Sequence, residues 1–484
     1  MIQKKPYYIT TTLPYVNGAP HIGFAMEIIR ADTIARYKRL VGYDVFFNTG
    51  TDEHGAKIYE NAVKEEVDVQ DFVNGYAQKF KELVEALTIL DVHFIRTTDK
   101  GHILAAQEMW KRCEAAGDIY KKFYKVKYCV GCELEKTDSE LVDDWCPLHP
   151  HMEIEIREEE NYFFRFSHYG EKLLAFYDAH PDFVIPDFRY NEIKAFVARG
   201  LQDFSISRLQ AKMPWGVQVP GDDAHVMYVW FDALTSYIST LGWGTDEKNF
   251  SFWKEGTPVQ YCGKDNLRQQ SAMWQAMLMS SGLTQSAHII INGFITSGGH
   301  KMSKSVGNVI SPFDVIETFR SVTEYPQDVL RFILLHEVPS FEDGDITLES
   351  MKVTYQAHLA NGIGNLTNRI MKMATTHLAS GIHPEPSEFP AEYIKAIEHF
   401  DTKKALEFVM KEMNSLDGYI QSTEPFKVIK VDVEKGKALL EEMRLRLYVL
   451  ALLLQVFLPS TSDAIKGHIK NHTMPEKPLF ARLG

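Results

Sequence analysis

The sequence predicts an α/β fold: a parallel sheet split by a long insertion, then an all-α bundle. Three patterns predict it. The chain opens with strand, turn, helix and strand, the start of a parallel sheet. A second set of β-branched runs begins only near residue 225. Beyond Ser350 the apolar residues recur at helical spacing, with no strand pattern.

Each element follows from its residues. Tyr7-Tyr-Ile-Thr-Thr-Thr-Leu13 is β-branched and aromatic, which suits a buried strand. Pro14 ends it, and Asn17-Gly18 with Pro20 makes a turn. Phe24, Ile28, Ala31, Ile34, Ala35 and Val41 fall on one helical face, and Gly42 stops that helix. Asp44-Val-Phe-Phe-Asn48 is the second strand, followed by the polar loop Thr49-Gly-Thr-Asp-Glu-His-Gly55. Both polar loops fall at the carboxyl ends of strands, where parallel sheets bind ligands. The pattern breaks near residue 117. Residues 118–224 read as an insertion carrying cysteines and an acidic run, Glu153 to Glu160. The sheet resumes with Val226-Met-Tyr-Val-Trp230, Val259-Gln-Tyr-Cys262 and His288-Ile-Ile-Ile-Asn292. Helices are expected over 351–379, 391–422 and 433–458.

Composition excludes several classes. Of 484 residues, 45% are apolar and 24% charged, which is ordinary for a globular protein and rules out a disordered chain or a fibre. Five cysteines do not make a secreted disulfide framework. The longest apolar run, Leu447 to Leu458, is broken by Gln455 and falls short of the ~20 residues a membrane span needs. The opening residues lack the apolar core of a signal peptide, so a cytoplasmic location is expected, with no membrane partner. The net charge of −13 is uneven. Residues 351–484 hold 17 basic and 15 acidic side chains, a net of +2, against −15 for the first 350. A polyanion would meet least repulsion at the C-terminal end.

Three motifs carry chemistry. Pro20-His21-Ile22-Gly23-Phe24 stands at the mouth of the first helix, whose unpaired N–H groups suit a phosphate. Gly23 allows close backbone approach, and His21 can donate to a phosphate oxygen as charge develops. The alternative is a capping histidine in a turn. Lys301-Met302-Ser303-Lys304-Ser305 follows Gly298-Gly299. Such a cationic loop can close over a triphosphate and neutralise departing pyrophosphate. The alternative is a solvated loop. Cys129-Val-Gly-Cys132 and Cys146-Pro-Leu-His149, thirteen residues apart, have the spacing of a closed tetrahedral Zn2+ site. Four protein ligands leave no open position, so the metal would be structural. A redox pair or chance would not explain the second knuckle, and His151 rivals His149. Cys113 and Cys262 read as core thiols.

The first two motifs together resemble the paired signatures of class I aminoacyl-tRNA synthetases, His-Ile-Gly-His and Lys-Met-Ser-Lys-Ser. Leu13-Pro-Tyr-Val-Asn-Gly18, Thr51-Asp-Glu-His-Gly55, Gly200-Leu-Gln-Asp-Phe-Ser-Ile-Ser-Arg208 and Tyr228-Val-Trp-Phe-Asp-Ala233 resemble methionyl-tRNA synthetases in particular. The likeness is strong over residues 6–345 and looser beyond. It implies a Rossmann-like catalytic domain in two halves, 1–117 and 225–293. It further implies a zinc-bearing connective insertion (118–224), a loop and stem-contact region (294–349), and an anticodon-binding bundle (350–484).

The resemblance also implies roles. The chain would be a methionine–tRNA ligase using ATP, L-methionine and tRNA(Met), with Mg2+ accompanying ATP. His21, Lys301 and Lys304 would be catalytic. Gly23, Gly263 and Asp265 would join His21 and Lys304 in holding ATP. Leu13, Tyr15, Asp52, Trp230, Ala233 and Tyr237 would form the methionine pocket, with Asp52 on the ammonium. Asn365, Arg369 and Phe426 would read the anticodon. A monomer is expected, since no long appendage follows the helical region.

The sequence departs from the family at several positions. Phe24 replaces the last histidine of the first signature. Asn266, Gln269 and Gln270 stand where apolar, aromatic and histidine residues are usual, and Leu234 where proline is common. Phe426 replaces a tryptophan. Two rivals follow. A leucine-, isoleucine- or valine-type synthetase is disfavoured by an insertion too short for an editing domain. A non-catalytic tRNA-binding paralogue would be favoured by Phe24 and Gln270.

Overall fold

The computed structural model describes residues 4–132, 134–136, 140–302, 308–384 and 388–484. Six parallel strands form the central sheet: β1 (Pro6–Thr10), β2 (Asp44–Thr51), β3 (Val92–Arg96), β4 (Val184–Ile185), β5 (Thr257–Gly263) and β6 (His288–Asn292). Their spatial order is β3-β2-β1-β5-β6-β4. β1 therefore pairs with β2 on one side and with β5 on the other, more than two hundred residues away. The chain leaves β1 in one direction and returns beside it in the other. The crevice at the carboxyl ends of β1 and β5 is thus the switch point where ligands of such sheets bind.

Alternation along β1 sorts its side chains between two cores. Tyr7 and Ile9 join the core on one face, with helix α1 (Ile22–Leu40) and the C-terminal helices. Tyr8 joins the other, with α2 (Lys100–Ala115), α3 (Val229–Ser239) and part of the insertion. α1 is buried along nearly its whole length, because it is covered by the sheet on one side and by helix α4 (Pro326–Glu337) on the other. Arg331 of α4 reaches the fully buried Asp32 of α1 at 2.7 Å.

The insertion begins as a long antiparallel pair, Ile119–Cys129 with Glu155–Phe164, from which the cysteine knuckle projects. It does not stay apart from the sheet. β4 returns to the sheet edge beside β6, a pairing too short for any periodic signal. The expected strand over 226–230 is divided: Asp222–Met227 is antiparallel, and α3 starts at Val229.

Beyond Asp345 the described residues hold no strand. The expected helix over 391–422 is two helices, Ala391–Glu398 and α6 (Thr402–Thr423), separated by Phe400 at φ 59°. Asp401 caps the second by accepting from Lys404 N–H. Before it, α5 (Asn365–His377) follows a π-helical stretch, Tyr355–Gly364, and after it come α7 (Pro425–Val431) and α8 (Val433–Leu454).

Candidate active site and metal centre

The mouth of α1 is built around His21. Its Nδ1 accepts from Gly23 N–H at 3.1 Å, so His21 caps the helix. In the neutral ring Nε2 then carries the proton and is free to face a ligand. Desolvation by the surrounding protein lowers the His21 pKa and favours that neutral form. Gly23 is required for the packing, since a Cβ there would lie 2.9 Å from His21 Cε1. Capping and phosphate donation are therefore compatible, because they use opposite ring nitrogens. Phe24 turns into the core, edge-on to Phe80 at 5.2 Å between centroids.

The lysine motif grows from a hairpin, Ile295–Ser297 with His300–Lys301. Gly298 (φ 62°) and Gly299 (φ 76°) supply the left-handed turn that matches strand twist. Asp345, on the adjoining strand, accepts from Gly299 N–H at 2.8 Å and from the Thr296 hydroxyl at 2.7 Å. Lys301 ends the hairpin, and Lys304 lies outside the described residues. The chain beyond the loop returns to α1, where Ile22 N–H donates to the Ile310 carbonyl at 3.1 Å.

Gly263 ends β5, and a Cβ on it would lie 2.6 Å from the Asp265 carboxylate. Asp265 is thus drawn against bare backbone at the strand end. Lys264 is taken by Asp343, at 2.6 Å, whose other contact is the Phe294 N–H.

The residues expected to line an amino-acid pocket come from two sets of elements. Tyr15 and Asp52 are bridged in parallel register just past β1 and β2, with Asp52 N–H on the Pro14 carbonyl. Leu13 and Asp52 are buried and Tyr15 half-buried. Gly55, at φ 130°, makes room for the Tyr15 hydroxyl: a Cβ would come within 2.4 Å. On the other side, Trp230, Ala233 and Tyr237 share one face of α3 by their spacing of three, four and seven.

A buried cluster with no role in the sequence reading joins these sides. Asp232 of α3 holds His54 of the Asp52 loop at 2.7 Å and His102 of α2 at 2.7 Å. His102 in turn meets the Ser239 hydroxyl at 2.9 Å. Burial alone would raise the Asp232 pKa, but the two histidines hold it down to about 2, so it is ionised at neutral pH. His54 and Asp232 both lie in the quoted motifs, which was the available signal. Glu27 was also missed. Its carboxylate accepts from Thr12 N–H at 2.8 Å and from Asn292 at 3.4 Å, tying the ends of β1 and β6 to α1. Burial pushes its pKa up to about 8.

Cys129, Cys132, Cys146 and His149 converge, with ligand atoms within 4.8 Å of one another. The contacts are 3.4 Å for Cys132–Cys146 sulfurs and 3.2, 3.7 and 3.9 Å from His149 Nδ1 to Cys132, Cys129 and Cys146. These are about the edges of a tetrahedron with ~2.3 Å metal–sulfur bonds, so the four could hold one metal ion. Gly131 gives His149 its place, since a Cβ would lie 2.4 Å from the ring.

In the helical region Asn365 is exposed on α5. Arg369, one turn on, pairs with Asp417 of α6, and Gln421 reaches the other Asp417 oxygen at 2.6 Å. Phe426, the second residue of α7, has 44% of its surface exposed, high for a phenylalanine and open to stacking. No described helix is long and apolar enough to cross a membrane.

Comparison with known proteins agrees with this geometry. The family model described as tRNA synthetases class I (M) matches residues 7–153 and 139–371. The methionine–tRNA ligase of Thermotoga maritima is 37% identical over 497 aligned residues, covering 99% of this chain and 77% of that one. That of Mycobacterium leprae is 39% identical, covering 95% and 88%. The Mycobacterium tuberculosis methionyl-tRNA synthetase, solved in complex with methionyl-adenylate, matches with a TM-score of 0.89 at 35% identity, covering 99% of this chain and 100% of that one. Matched over nearly its whole length by these relatives, the chain belongs to the methionine–tRNA ligase family of class I tRNA synthetases.

Proposed function

We propose that this protein activates methionine with ATP and transfers it to the 3′ end of tRNA(Met). The observation that carries the reading lies at the sheet's switch point: the helix mouth is tied to the segment that follows the lysine motif by the Ile22–Ile310 hydrogen bond. ATP would lie with its ribose toward Gly263 and Asp265 and its phosphates toward His21, Gly23, Lys301 and Lys304. Methionine would sit between Leu13, Tyr15 and Asp52 on one side and Trp230, Ala233 and Tyr237 on the other. Asp52 would hold the ammonium, and the aromatic walls suit an unbranched thioether.

A methionine carboxylate oxygen attacks the α-phosphorus in line. The bond to the bridging oxygen breaks, and pyrophosphate leaves. The His21 Nε2–H and the lysine ammoniums stabilise the charge that develops, so catalysis is positioning and electrostatics rather than covalent chemistry. A terminal ribose hydroxyl of tRNA then attacks the activated carbonyl, its proton leaves to solvent, and AMP departs. Mg2+ bound with ATP would add charge neutralisation at the phosphates. Zn2+ at Cys129, Cys132, Cys146 and His149 would cross-link the insertion. Asn365, Arg369 and Phe426 would meet the anticodon, in a cytoplasmic monomer.

The test is amino-acid-stimulated ATP–pyrophosphate exchange by the purified protein, followed by charging of tRNA(Met). Methionine alone should stimulate exchange. Stimulation by leucine, isoleucine or valine instead, or by no amino acid, would overturn the reading.

A further inference from the structure

Trp215 reaches out of the insertion and holds the loop that follows Asp52. Its indole N–H donates to the Glu53 carbonyl at 2.6 Å, and its own carbonyl accepts from Gly55 N–H at 3.1 Å. These two groups flank His54, whose ring centroid lies 5.7 Å from that of the indole. A single residue thus satisfies one main-chain acceptor and one main-chain donor of the same loop, which fixes where that backbone lies. The residue belongs to a short strap, residues 210–217, between the strands Ser207–Leu209 and Gln218–Val219, which flank Asp222–Met227. Both ends of the strap are tied down. Gln210 N–H donates to the Ala224 carbonyl at 2.8 Å, and Met227 N–H donates to the Val217 carbonyl at 2.7 Å. Val217 is buried in the core shared with α2 and α3, whereas Trp215 packs against the core that contains α1.

The catalytic sheet fixes the same loop from its own side. The buried Glu53 carboxylate accepts from Arg96 Nε at 2.7 Å, from Arg96 Nη2 at 2.8 Å and from the Thr51 hydroxyl at 2.6 Å. Glu53 N–H donates to the Thr97 hydroxyl at 2.9 Å. Thr51 ends β2 and Arg96 ends β3. The loop therefore has two anchors, one in the sheet and one in the insertion. Only the second depends on where the insertion's strap lies. Gly55 carries that dependence onward, since it abuts the Tyr15 hydroxyl. Tyr15 is in turn bridged to Asp52.

We infer that Trp215 is a positioning residue for the amino-acid substrate's ammonium group, setting the Asp52 loop from the insertion side. This role rests on the methionine reading of the pocket, in which Asp52 holds the ammonium, and it names what holds Asp52 in place. A carboxylate that must meet an ammonium in a buried site works only from a fixed position, because the geometry decides whether the pair offsets its desolvation. Without the indole donor the Glu53 carbonyl is left unmade, and the loop shifts to find another partner. One neutral hydrogen bond is worth about threefold to tenfold in an equilibrium constant. The loss falls on ligands that carry an ammonium, since the strap touches the pocket only through this loop.

Trp215→Phe keeps a ring in place and removes the donor. The test measures three ligands by calorimetry and, where binding is weak, by saturation-transfer NMR. L-methionine carries both charged groups, L-methioninol keeps the ammonium and lacks the carboxylate, and desaminomethionine keeps the carboxylate and lacks the ammonium. The variant should weaken L-methionine and L-methioninol alike, about threefold to tenfold, and leave desaminomethionine nearly as before. In ATP–pyrophosphate exchange KM for methionine should rise by the same factor, while kcat and KM for ATP move far less. Hydrogen exchange should quicken over residues 53–55 and not along β2 or β3. Equal weakening of all three ligands, or unchanged affinity for both ammonium-bearing ones, would overturn the role of Trp215. Methionine binding without any exchange by the wild-type protein would instead overturn the ligase reading, and the three affinities would still judge Trp215. A wild-type protein that binds none of the three would overturn both.

Discussion

The backbone N–H of Ile22, one residue past His21, donates to the carbonyl of Ile310, six residues past Lys304. The helix mouth and the segment leaving the lysine loop are therefore one structural unit. Segments nearly three hundred residues apart meet here because β1 and β5 are neighbours in the sheet.

From this follows the first prediction. His21→Ala and Lys304→Ala should each slow adenylate formation about 10²-fold or more, the usual cost of losing one donor to developing charge. Methionine affinity should stay nearly unchanged, since neither residue belongs to the amino-acid pocket. Single-turnover adenylate formation and equilibrium methionine binding separate the two effects. Parallel losses in both would make these residues structural instead.

The second prediction concerns Asp232. It pairs with both His54 and His102, and it joins the Asp52 loop to α3. Asp232→Ala leaves both histidines without their buried partner and should lower the unfolding free energy by about 3 kcal/mol. The Asp52 loop then loses its strut, so KM for methionine should rise more than KM for ATP. Denaturant melts and separate KM measurements check this, and unchanged values of both constants would refute the strut.

How far these features were readable depends on their range along the chain. β1, α1, β2, β5 and β6 were legible because their patterns are local. The cysteine knuckle was legible because ligand spacing is a local property too. His54, His102 and Asp232 come from three separate elements, and periodicity carries no record of such a meeting. Gln270 stood out only as a departure from the family, because its buried contact with Gln260 depends on a π-helical turn, Gln269–Met273. β4 is two residues long and has no pattern to find. The break at Phe400 hid behind an apolar side chain, although Asp401 before Thr402 carried a capping signal.

A third prediction uses the sign of the Glu27 shift. Burial raises its pKa from 4.5 to about 8 in the folded protein. Below pH 4.5 both folded and unfolded chains hold the proton. As pH rises toward about 8 the unfolded chain releases it and the folded chain does not, so stability is lost across that window. Glu27→Gln cannot titrate. The wild-type stability relative to Glu27→Gln should therefore decline between pH 5 and pH 8 and level off above. Urea unfolding of both proteins over this range measures it. A flat difference would mean that Glu27 is already ionised in the native state.

The last prediction concerns the knuckle. Cys129, Cys132, Cys146 and His149 would fill four positions around one metal ion, leaving none for a substrate or water. Metal analysis of the native protein should find one zinc per chain. Cys132→Ser should abolish it and lower the melting temperature, because metal binding is folding energy for so small a lobe. Methionine-dependent pyrophosphate exchange should survive better than tRNA charging, since the lobe lies on the insertion and His21, Lys301 and Lys304 do not. Exchange lost in step with the metal, in a protein that still melts cooperatively, would place the zinc in the chemistry and contradict the closed coordination shell.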